Sequence, residues 1–461
     1  MLQLGTSYGA RHESAPASAA LREASAAAVR ARADLVAAEV AIQLVYIDGY
    51  VAASATEGEH WASLALAWAE LAGSPPDLMR NLLSVRGMAR RSVDRLDDAL
   101  ADQTEALALL ERDAPDDEFE RAAILAAIGA TQRMMGRLDA AIPTLTAAVA
   151  SYGASLGEQH PSYANAWNLL GTAQLDRGDF AAAEQAFLRS IEIGERAVGP
   201  RSARVLQARG NLGAVYSMTG RVTESIAVKA QALADARASD NPPDANLVAM
   251  ISNLAVSYGL AGDGARTREL QAEAVALART VAGPDSLLFA RQLVTNAECV
   301  LEDEPERGLE EATQGLAIMV RHLEPSAPER VNAQAVQAMA KASSGRCDEA
   351  VPLLEQALVD FAAQLGPEHP GTIPTSLSLG RCLVRAAKWE AAVTMLDRVA
   401  RISDAIKAPP SPELLAWQAR AYLGLGKPAE ATAIQQRLEL LAKADAKVAA
   451  QIRELAVRIE G

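Results

Sequence analysis

The feature that most constrains this chain is a short turn sequence that recurs nine times at an almost constant distance. It reads GRLDAAI from 136, GDFAAAE from 178, GRVTESI from 220 and GRCDEAV from 345, with weaker copies from 94, 262, 304, 387 and 426. Successive copies start 42 residues apart, except for one step of 41 and a last step of 39. A fixed period of this length is typical of a repeat protein, in which each unit packs against its neighbours.

The residues around each turn predict two helices. Apolar residues recur at i, i+3, i+4 and i+7 on both sides, which is the period of an amphipathic helix. Seven residues before the turn, every copy has Gly or Ala, and five residues after it there is usually another small residue. These small residues predict a point where two helices cross too closely for a larger side chain. Each unit is therefore predicted to be a helix, a tight turn, a second helix and a loop.

Residues 167–190 show the repeated pattern best. Its residues are Trp167, Leu170, Gly171, Ala183, Phe187 and Ser190. The pattern resembles the tetratricopeptide repeat, and the 42-residue period with its LGPEHP-like loops resembles the kinesin light chain type. The resemblance implies an all-α fold, an α-solenoid that winds as a right-handed superhelix. It also implies that the first helix of each unit lines the concave groove, the surface through which such repeats bind.

Two His-Pro pairs lie in the related segments LGEQHP (156–161) and LGPEHP (365–370). A metal site shared by His160 and His369 is not expected, because units five periods apart in a solenoid do not touch. We expect Gly366 to take the left-handed conformation after a helix. We expect Pro370 either to stop that helix or to begin the next one.

The predicted organisation follows from the repeat. Residues 77–443 form an array of nine repeats, and 33–76 form a divergent one. Residues 1–32 form a partial repeat, and 444–461 form a C-terminal capping helix. Residues 18–110 resemble the repeat region that follows the kinase domain in large bacterial Ser/Thr protein kinases of myxobacterial type. The kinase motifs are absent from the sequence, so the resemblance carries over no kinase activity. It suggests a regulatory or sensor region that has been separated from its kinase domain.

Composition excludes several classes of partner. The chain has 44 basic and 58 acidic residues, a net charge of −14, and no basic cluster. Phosphate backbones are bound by clustered Lys and Arg, so neither nucleic acid nor an anionic membrane is expected as a partner. No signal peptide or membrane span is visible, which predicts a cytoplasmic protein. The three cysteines Cys299, Cys347 and Cys382 are predicted to be buried thiols in a reducing compartment, not a disulfide framework.

Motifs of known active sites are absent from the sequence, so we expect no catalysis, no cofactor and no metal site. The predicted function is a scaffold that binds a protein or peptide in the concave groove. The separated kinase region described above is the alternative. An unrecognised enzyme is a third hypothesis.

Candidate groove residues were counted back thirteen, ten, nine, six and three positions from each turn. They are Asn165, Asn168, Thr172, Gln207, Asn211, Ser252, Asn253, Arg291, Asn332, Arg381 and Arg420. An Asn amide both donates and accepts, so it can bond the backbone of an extended peptide. The same amides could instead cap a helix or bond between helices.

The later units add positive charge to the groove. Arg381, Arg385 and Arg420 could form a basic stripe that binds an acidic peptide segment. They could equally pair with acids on adjacent helices. The Lys and Asn combination with which some tetratricopeptide domains grip chaperone tails does not occur at the equivalent positions, so chaperone-tail binding is not expected.

Overall fold

The computed structural model describes residues 14–157, 160–239, 242–405, 411–444, 449–450 and 452–453. The chain divides into two compact units, residues 1–239 and 240–461. Within the described residues there are 21 α-helices, joined by short turns. None of these helices is both long enough and apolar enough to cross a membrane.

The first unit holds eleven of the described helices. They are α1 (Ser14–Arg30), α2 (Asp34–Leu44), α3 (Ala55–Leu71), α4 (Pro76–Ser92), α5 (Leu96–Asp113), α6 (Glu118–Met134), α7 (Leu138–Leu156), α8 (Pro161–Arg177), α9 (Phe180–Val198), α10 (Ala203–Met218) and α11 (Val222–Arg237). A π-helical segment, Val45–Val51, directly follows α2. Its Asp48 is buried and accepts hydrogen bonds from Ser18 and Arg22 of α1, which ties α1 to the segment.

The second unit holds the other ten described helices. They are α12 (Ala245–Leu260), α13 (Gly264–Ala282), α14 (Leu287–Val300), α15 (Pro305–His322), α16 (Pro328–Ser343), α17 (Cys347–Leu365), α18 (Ile373–Arg385), α19 (Trp389–Ala405), α20 (Pro412–Gly424) and α21 (Pro428–Ala444). A single 3₁₀ turn, Pro370–Thr372, precedes α18. The N-terminal end of the predicted partial repeat (1–13) and most of the predicted capping helix lie outside the described residues.

Within each unit the helices pack in chain order, each against the one before and the one after it. The first helices of neighbouring repeats also touch each other. In the first unit these are α4, α6, α8 and α10, and in the second they are α14, α16, α18 and α20. This serial packing of helix pairs confirms the predicted all-α solenoid.

The turn at 178 shows how the recurring motif links two helices. Gly178 has φ +83°, which a glycine adopts without the steric cost of a side chain. The next amide, of Asp179, donates to the carbonyl of Gln174 at 2.9 Å and satisfies the end of α8. The Asp179 carboxylate then accepts from the amide of Ala182 at 3.3 Å and caps α9. Two adjacent residues therefore end one helix and start the next.

The small residues before the turns lie where the two helices of a repeat cross. A β-carbon at Gly129 would stand 2.5 Å from Leu145 Cγ, and one at Gly171 would stand 2.8 Å from Phe187 Cε1. Both distances are shorter than van der Waals contact, so these positions exclude a larger residue. This confirms the predicted close crossing.

The two His-Pro loops act as helix starts. Nδ1 of His160 accepts from the amide of Ser162 at 3.1 Å, and Nδ1 of His369 accepts from Gly371 at 3.1 Å. Pro161 begins α8, and Pro370 begins the 3₁₀ turn before α18. The prediction for Gly366 was wrong in one respect. Its φ is +89°, but its ψ of 151° lies outside the left-handed helical region and keeps the chain extended.

The prediction that all three cysteines are thiols was wrong. Cys347 and Cys382 form a disulfide, with their α-carbons 5.2 Å apart, while Cys299 is free and half-buried. Cys347 is the first residue of α17 and Cys382 lies in α18. Their separation of 35 residues contains no short Cys motif. The pairing arises because the second helix of one repeat packs against the first helix of the next.

Candidate functional site

The candidate site in each unit is the face that its contacting first helices share. The predicted groove residues lie on these helices and on α12. Their exposure and contacts differ widely, and the described atoms show which of them a ligand could reach.

Asn168 of α8 and Asn211 of α10 are brought together. Nδ2 of Asn211 donates to Oδ1 of Asn168 at 3.1 Å. Asn168 is only 6% exposed, whereas Asn211 is half-buried. The inter-helix bond, which was one of two readings of these amides, is therefore formed. It leaves Asn211 as the amide of the pair that faces the surface.

The remaining candidates of the first unit are not part of this pair. The Thr172 hydroxyl donates to the Asn168 carbonyl at 2.8 Å, a bond within α8. Asn165 is half-buried, and Gln207 is exposed on α10. Of these three side chains, Gln207 is the most open to a ligand.

The candidates on α12 have different environments. Ser252 is half-buried, and its hydroxyl lies 3.3 Å from the side-chain amide of Gln271, which is fully buried on α13. Asn253, which follows it, is exposed. Ser252 is therefore held by its own repeat, and Asn253 presents its side chain outward.

Two of the candidate arginines pair with acids of the next first helix. Nη2 of Arg291 lies 2.8 Å from Oε1 of Glu329, and Nη1 of Arg381 lies 3.0 Å from Oε1 of Glu413. The pair of Arg381 is largely shielded from solvent. The alternative in which arginines pair with neighbouring acids thus applies to both residues. Asn332, between these positions in the array, is exposed.

Arg385 and Arg420 have a different environment from Arg381. Both are exposed, and in the described part of the chain no acidic side chain is found paired with either. The Arg385 guanidinium lies 5.8 Å from the centre of the Trp417 ring, within the range of a cation–π contact. Arg385 is exposed as a whole residue, but partial burial of its guanidinium and the nearby charge of Arg381 lower its pKa. The positive charge of this surface is therefore not neutralised locally.

Three polar residues that are not among the candidates above meet inside the helix pair α10 and α11, although one of them, Ser217, lies three positions before its turn. Nζ of Lys229 lies 3.4 Å from Oγ of Ser217, and that hydroxyl lies 2.8 Å from Oγ of Ser225. The sequence does contain a signal for this cluster. Lys229 takes the second-helix position that Leu145 and Phe187 hold in earlier repeats, where a charged residue is out of place.

Asp397 of α19 joins two residues of α20 that were also not selected. Nε2 of Gln418 donates to its Oδ1 at 2.8 Å, and the Tyr422 hydroxyl donates to its Oδ2 at 2.6 Å. Burial and the neighbouring carboxylate raise the pKa of Tyr422 to about 12. The arrangement fastens one repeat to the next. Among the described residues, no cluster of His, Cys, Asp and Glu could hold a metal ion.

Models of one family match the repeats. Both models are described as tetratricopeptide repeat. One matches residues 120–196, 162–238 and 329–405, and the other matches residues 247–287. Together the matches span about half of the chain. The repeats are tetratricopeptide repeats. A search of curated protein sequences found no relative.

Solved structures show how widely this fold is shared. RapI in its apo form has a TM-score of 0.60 at 9% identity, covering 80% of this chain and 98% of its own. A Rap protein complexed with Competence and Sporulation Factor has a TM-score of 0.54 at 12% identity, with the same coverage. A putative kinesin light chain from Podosopora anserina has a TM-score of 0.35 at 24% identity, covering 44% of this chain and 97% of its own. At these identities the two Rap structures establish a shared fold and nothing further.

Proposed function

We propose that this chain is a non-catalytic scaffold whose tetratricopeptide repeats bind an extended segment of a partner protein. The partner would lie on the face formed by the first helices. In the second unit the partner segment is acidic. The observation that carries this proposal is the exposed positive charge of Arg385 and Arg420, on the neighbouring first helices α18 and α20.

Arg381 and Arg385 differ in their electrostatic surroundings. The charge of Arg381 is offset by Glu413 at 3.0 Å, so Arg381 already has the partner that a guanidinium favours. Arg385, one helical turn further along α18, has an aromatic ring beside it and a like charge nearby. An opposite charge close to a guanidinium favours its charged form. A ligand carboxylate would therefore gain more at Arg385 than at Arg381.

Trp417 adds a fixed geometry to this surface. It is 3% exposed, so its ring is held by the core, and it lies on the same helix as Arg420, three residues before it. Residues three apart on a helix share a face. The fixed ring gives Arg385 a rigid neighbour, and Arg420 lies about one helical turn beyond it on α20.

In the first unit the proposed ligand contact is the Asn211 amide. Its Nδ2 is committed to Asn168, which fixes the side chain and leaves Oδ1 as an acceptor for a backbone N–H. Binding through backbone atoms tolerates many ligand sequences. The Rap protein complexed with Competence and Sporulation Factor is an example of a protein of this fold that binds a partner.

The second-unit site can be tested with a peptide of defined charge. Fluorescein-labelled hexaglutamate, hexaglutamine and hexalysine would be titrated with the full chain and followed by fluorescence anisotropy. We expect hexaglutamate to bind, the other two to bind at least tenfold more weakly, and the affinity to fall as salt rises. The double variant Arg385→Gln/Arg420→Gln should lose most of the hexaglutamate binding.

The matched control replaces an exposed arginine of the neighbouring helix α21. Arg437→Gln removes one positive charge from the same unit, as either single variant Arg385→Gln or Arg420→Gln does, and it alters neither α18 nor α20. Its hexaglutamate affinity should stay close to that of the unaltered chain. Equal losses in both variants would reduce the effect to net charge and overturn the acidic site. Absence of binding to all three peptides would do the same.

A further inference from the structure

One groove position changes its charge along the second unit. It is the residue that directly follows the small residue of each helix crossing, six residues before the turn. In the first helices from α12 to α20 it is Val256, Glu298, Met339, Arg381 and Arg420. Glu298 and Arg420 are exposed, whereas Met339 is buried. Along this line the charge passes from negative on α14 to positive on α18 and α20.

A second position repeats the reversal. Four residues beyond Glu298 lies Glu302, in the turn that follows α14. Four residues beyond Arg381 lies Arg385, the last residue of α18. Glu302 and Arg385 are both exposed. The α14 repeat therefore has two acids at the positions where the α18 repeat has two arginines.

Glu298 lacks the kind of partner that two other acids of the first helices have. Glu329 of α16 and Glu413 of α20 each pair with an arginine of the preceding first helix. Among the described residues, no basic side chain is paired with Glu298. It is exposed as a whole residue, but burial of its carboxylate raises its pKa, and the Asn332 side chain of α16 acts in the opposite direction. A cation beside a carboxylate favours its charged form. A cationic side chain of a ligand would therefore be stabilised at Glu298.

We propose that the partner segment is bipolar: a basic side chain of the segment binds Glu298, and its acidic side chains bind Arg385 and Arg420. This inference rests on the proposed acidic site and adds a second contact, of opposite sign, to it. The partner is then defined by two charges and not by acidity alone.

The spacing of the two charges follows from the helix packing. First helices α14, α16 and α18 contact one another in series. Packed helices lie about 8–10 Å apart, so two steps separate Glu298 from Arg385 by about 16–20 Å. An extended chain advances about 3.3 Å per residue. The basic side chain should therefore lie about five or six residues from the acidic ones.

Charge also limits what can lie between and beyond these contacts. Arg381 is already offset by Glu413, so the middle of the segment needs no charge of its own. A uniformly acidic segment that reached α14 would bring a carboxylate to Glu298, and like charges at an interface are unfavourable. Glu298 thus discriminates against partners that are acidic throughout.

The test uses fluorescein-labelled peptides and the full chain, with binding followed by fluorescence anisotropy. KQQQQQEEE carries a lysine at the expected spacing, and QQQQQQEEE lacks it. The reversed peptide EEEQQQQQK is measured alongside, because an extended segment can lie in a groove in either direction. We expect the lysine, in one of these directions, to tighten binding about threefold, as a partly exposed ion pair does. Glu298→Gln should abolish that gain.

Two controls separate the contact from net charge. Glu310→Gln removes the same charge from an exposed position of α15 and should keep the threefold gain. QQQQQKEEE has the same composition as the first peptide, but its lysine reaches only about 10 Å from its last glutamate. Its affinity should not depend on Glu298 more than that of QQQQQQEEE does.

The outcomes distinguish this inference from the proposed acidic site. If hexaglutamate, run in parallel, does not bind, the acidic site fails and the bipolar ligand fails with it. If hexaglutamate binds but neither lysine peptide binds more tightly than QQQQQQEEE, the acidic site stands and the bipolar ligand is wrong. A lysine gain that persists in Glu298→Gln would also overturn it, since the lysine would then bind elsewhere.

Discussion

The ring of Phe187 packs directly on Gly171, so that a β-carbon on the glycine would stand 2.8 Å from Cε1 and 2.9 Å from Cδ1 of the ring. Phe187 is fully buried, and close packing of a protein interior leaves such a ring little room to move aside. The first and second helices of this repeat can approach as they do only because residue 171 has no side chain. The same relation between a small residue and a larger one recurs at the other crossings.

Gly171→Ala is expected to destabilise the first unit by about 1–3 kcal/mol, the usual cost of overpacking a core. Urea unfolding followed by circular dichroism would measure it. The matched control is Gly210→Ala on α10, where nothing lies within 4 Å of the added β-carbon. That change should stabilise by about 0.5–1 kcal/mol, since Ala favours the helix over Gly. Two changes of the same sign would show that the crossing at Gly171 has room to spare.

Lys229→Met is expected to stabilise the chain at neutral pH. The folded pKa of Lys229, about 8, lies below its ordinary value of 10.5, so the unfolded chain binds more protons between these values. Stability of the unaltered chain therefore rises with pH through this window. At pH 7 the variant should gain up to about 3 kcal/mol, and the difference should vanish by about pH 10.5.

The control for this prediction is Lys388→Met, which removes an exposed lysine from a turn. Its effect should stay within about 0.5 kcal/mol at every pH. Chemical unfolding at a series of pH values would measure both variants. A Lys229→Met difference that does not change with pH would contradict the lowered pKa and point to packing alone.

The sequence predicted the architecture because the fold repeats. The same helix crossing recurs around nine turns, so the pattern is clear even where a single copy is weak. Gly129 and Gly171 are two examples of the small residue at that crossing. The family comparisons and the helix packing agree with that prediction. Turn spacing also placed the candidate residues, apart from Ser252 and Asn253 of α12, on first helices that contact one another.

The repeat pattern could not predict which side chains pair with each other. Whether Arg381 meets Glu413, or Asn211 meets Asn168, depends on rotamers and on the exact approach of two helices. The Cys347–Cys382 bond was missed for a related reason. Neither residue lies in a cysteine motif, and each occurs once in the array, so the period contains no information about their distance.

Removal of the disulfide is expected to weaken the second unit. A bond that closes a loop of about 35 residues restricts the unfolded chain and typically contributes about 3–4 kcal/mol. Cys347→Ser/Cys382→Ser, or reduction of the unaltered chain, should therefore increase hydrogen exchange in α17 and α18. The double variant is its own control, since a reductant should not change it further. If the intact mass of the oxidised chain shows two free thiols at these positions, the prediction is wrong.

Tyr422→Phe is expected to loosen the contact between α19 and α20. The change deletes the 2.6 Å hydrogen bond from Tyr422 to Asp397. The hydrogen bond from the Gln418 amide to the same carboxylate is kept. The cost should be about 1–2 kcal/mol at pH 7, as for other bonds to a charged acceptor.

The pH dependence of Tyr422→Phe separates the hydrogen bond from packing. The pKa of Tyr422 is raised to about 12 from 10, so the bond contributes fully below pH 10. Its contribution is then lost as the pH rises towards 12. The control Tyr258→Phe removes a hydroxyl that accepts from Arg266 at an exposed position, and it should cost less. Equal unfolding free energies for Tyr422→Phe and the unaltered chain at pH 7 would show that Asp397 does not need the hydroxyl, and that the ring alone joins the two repeats.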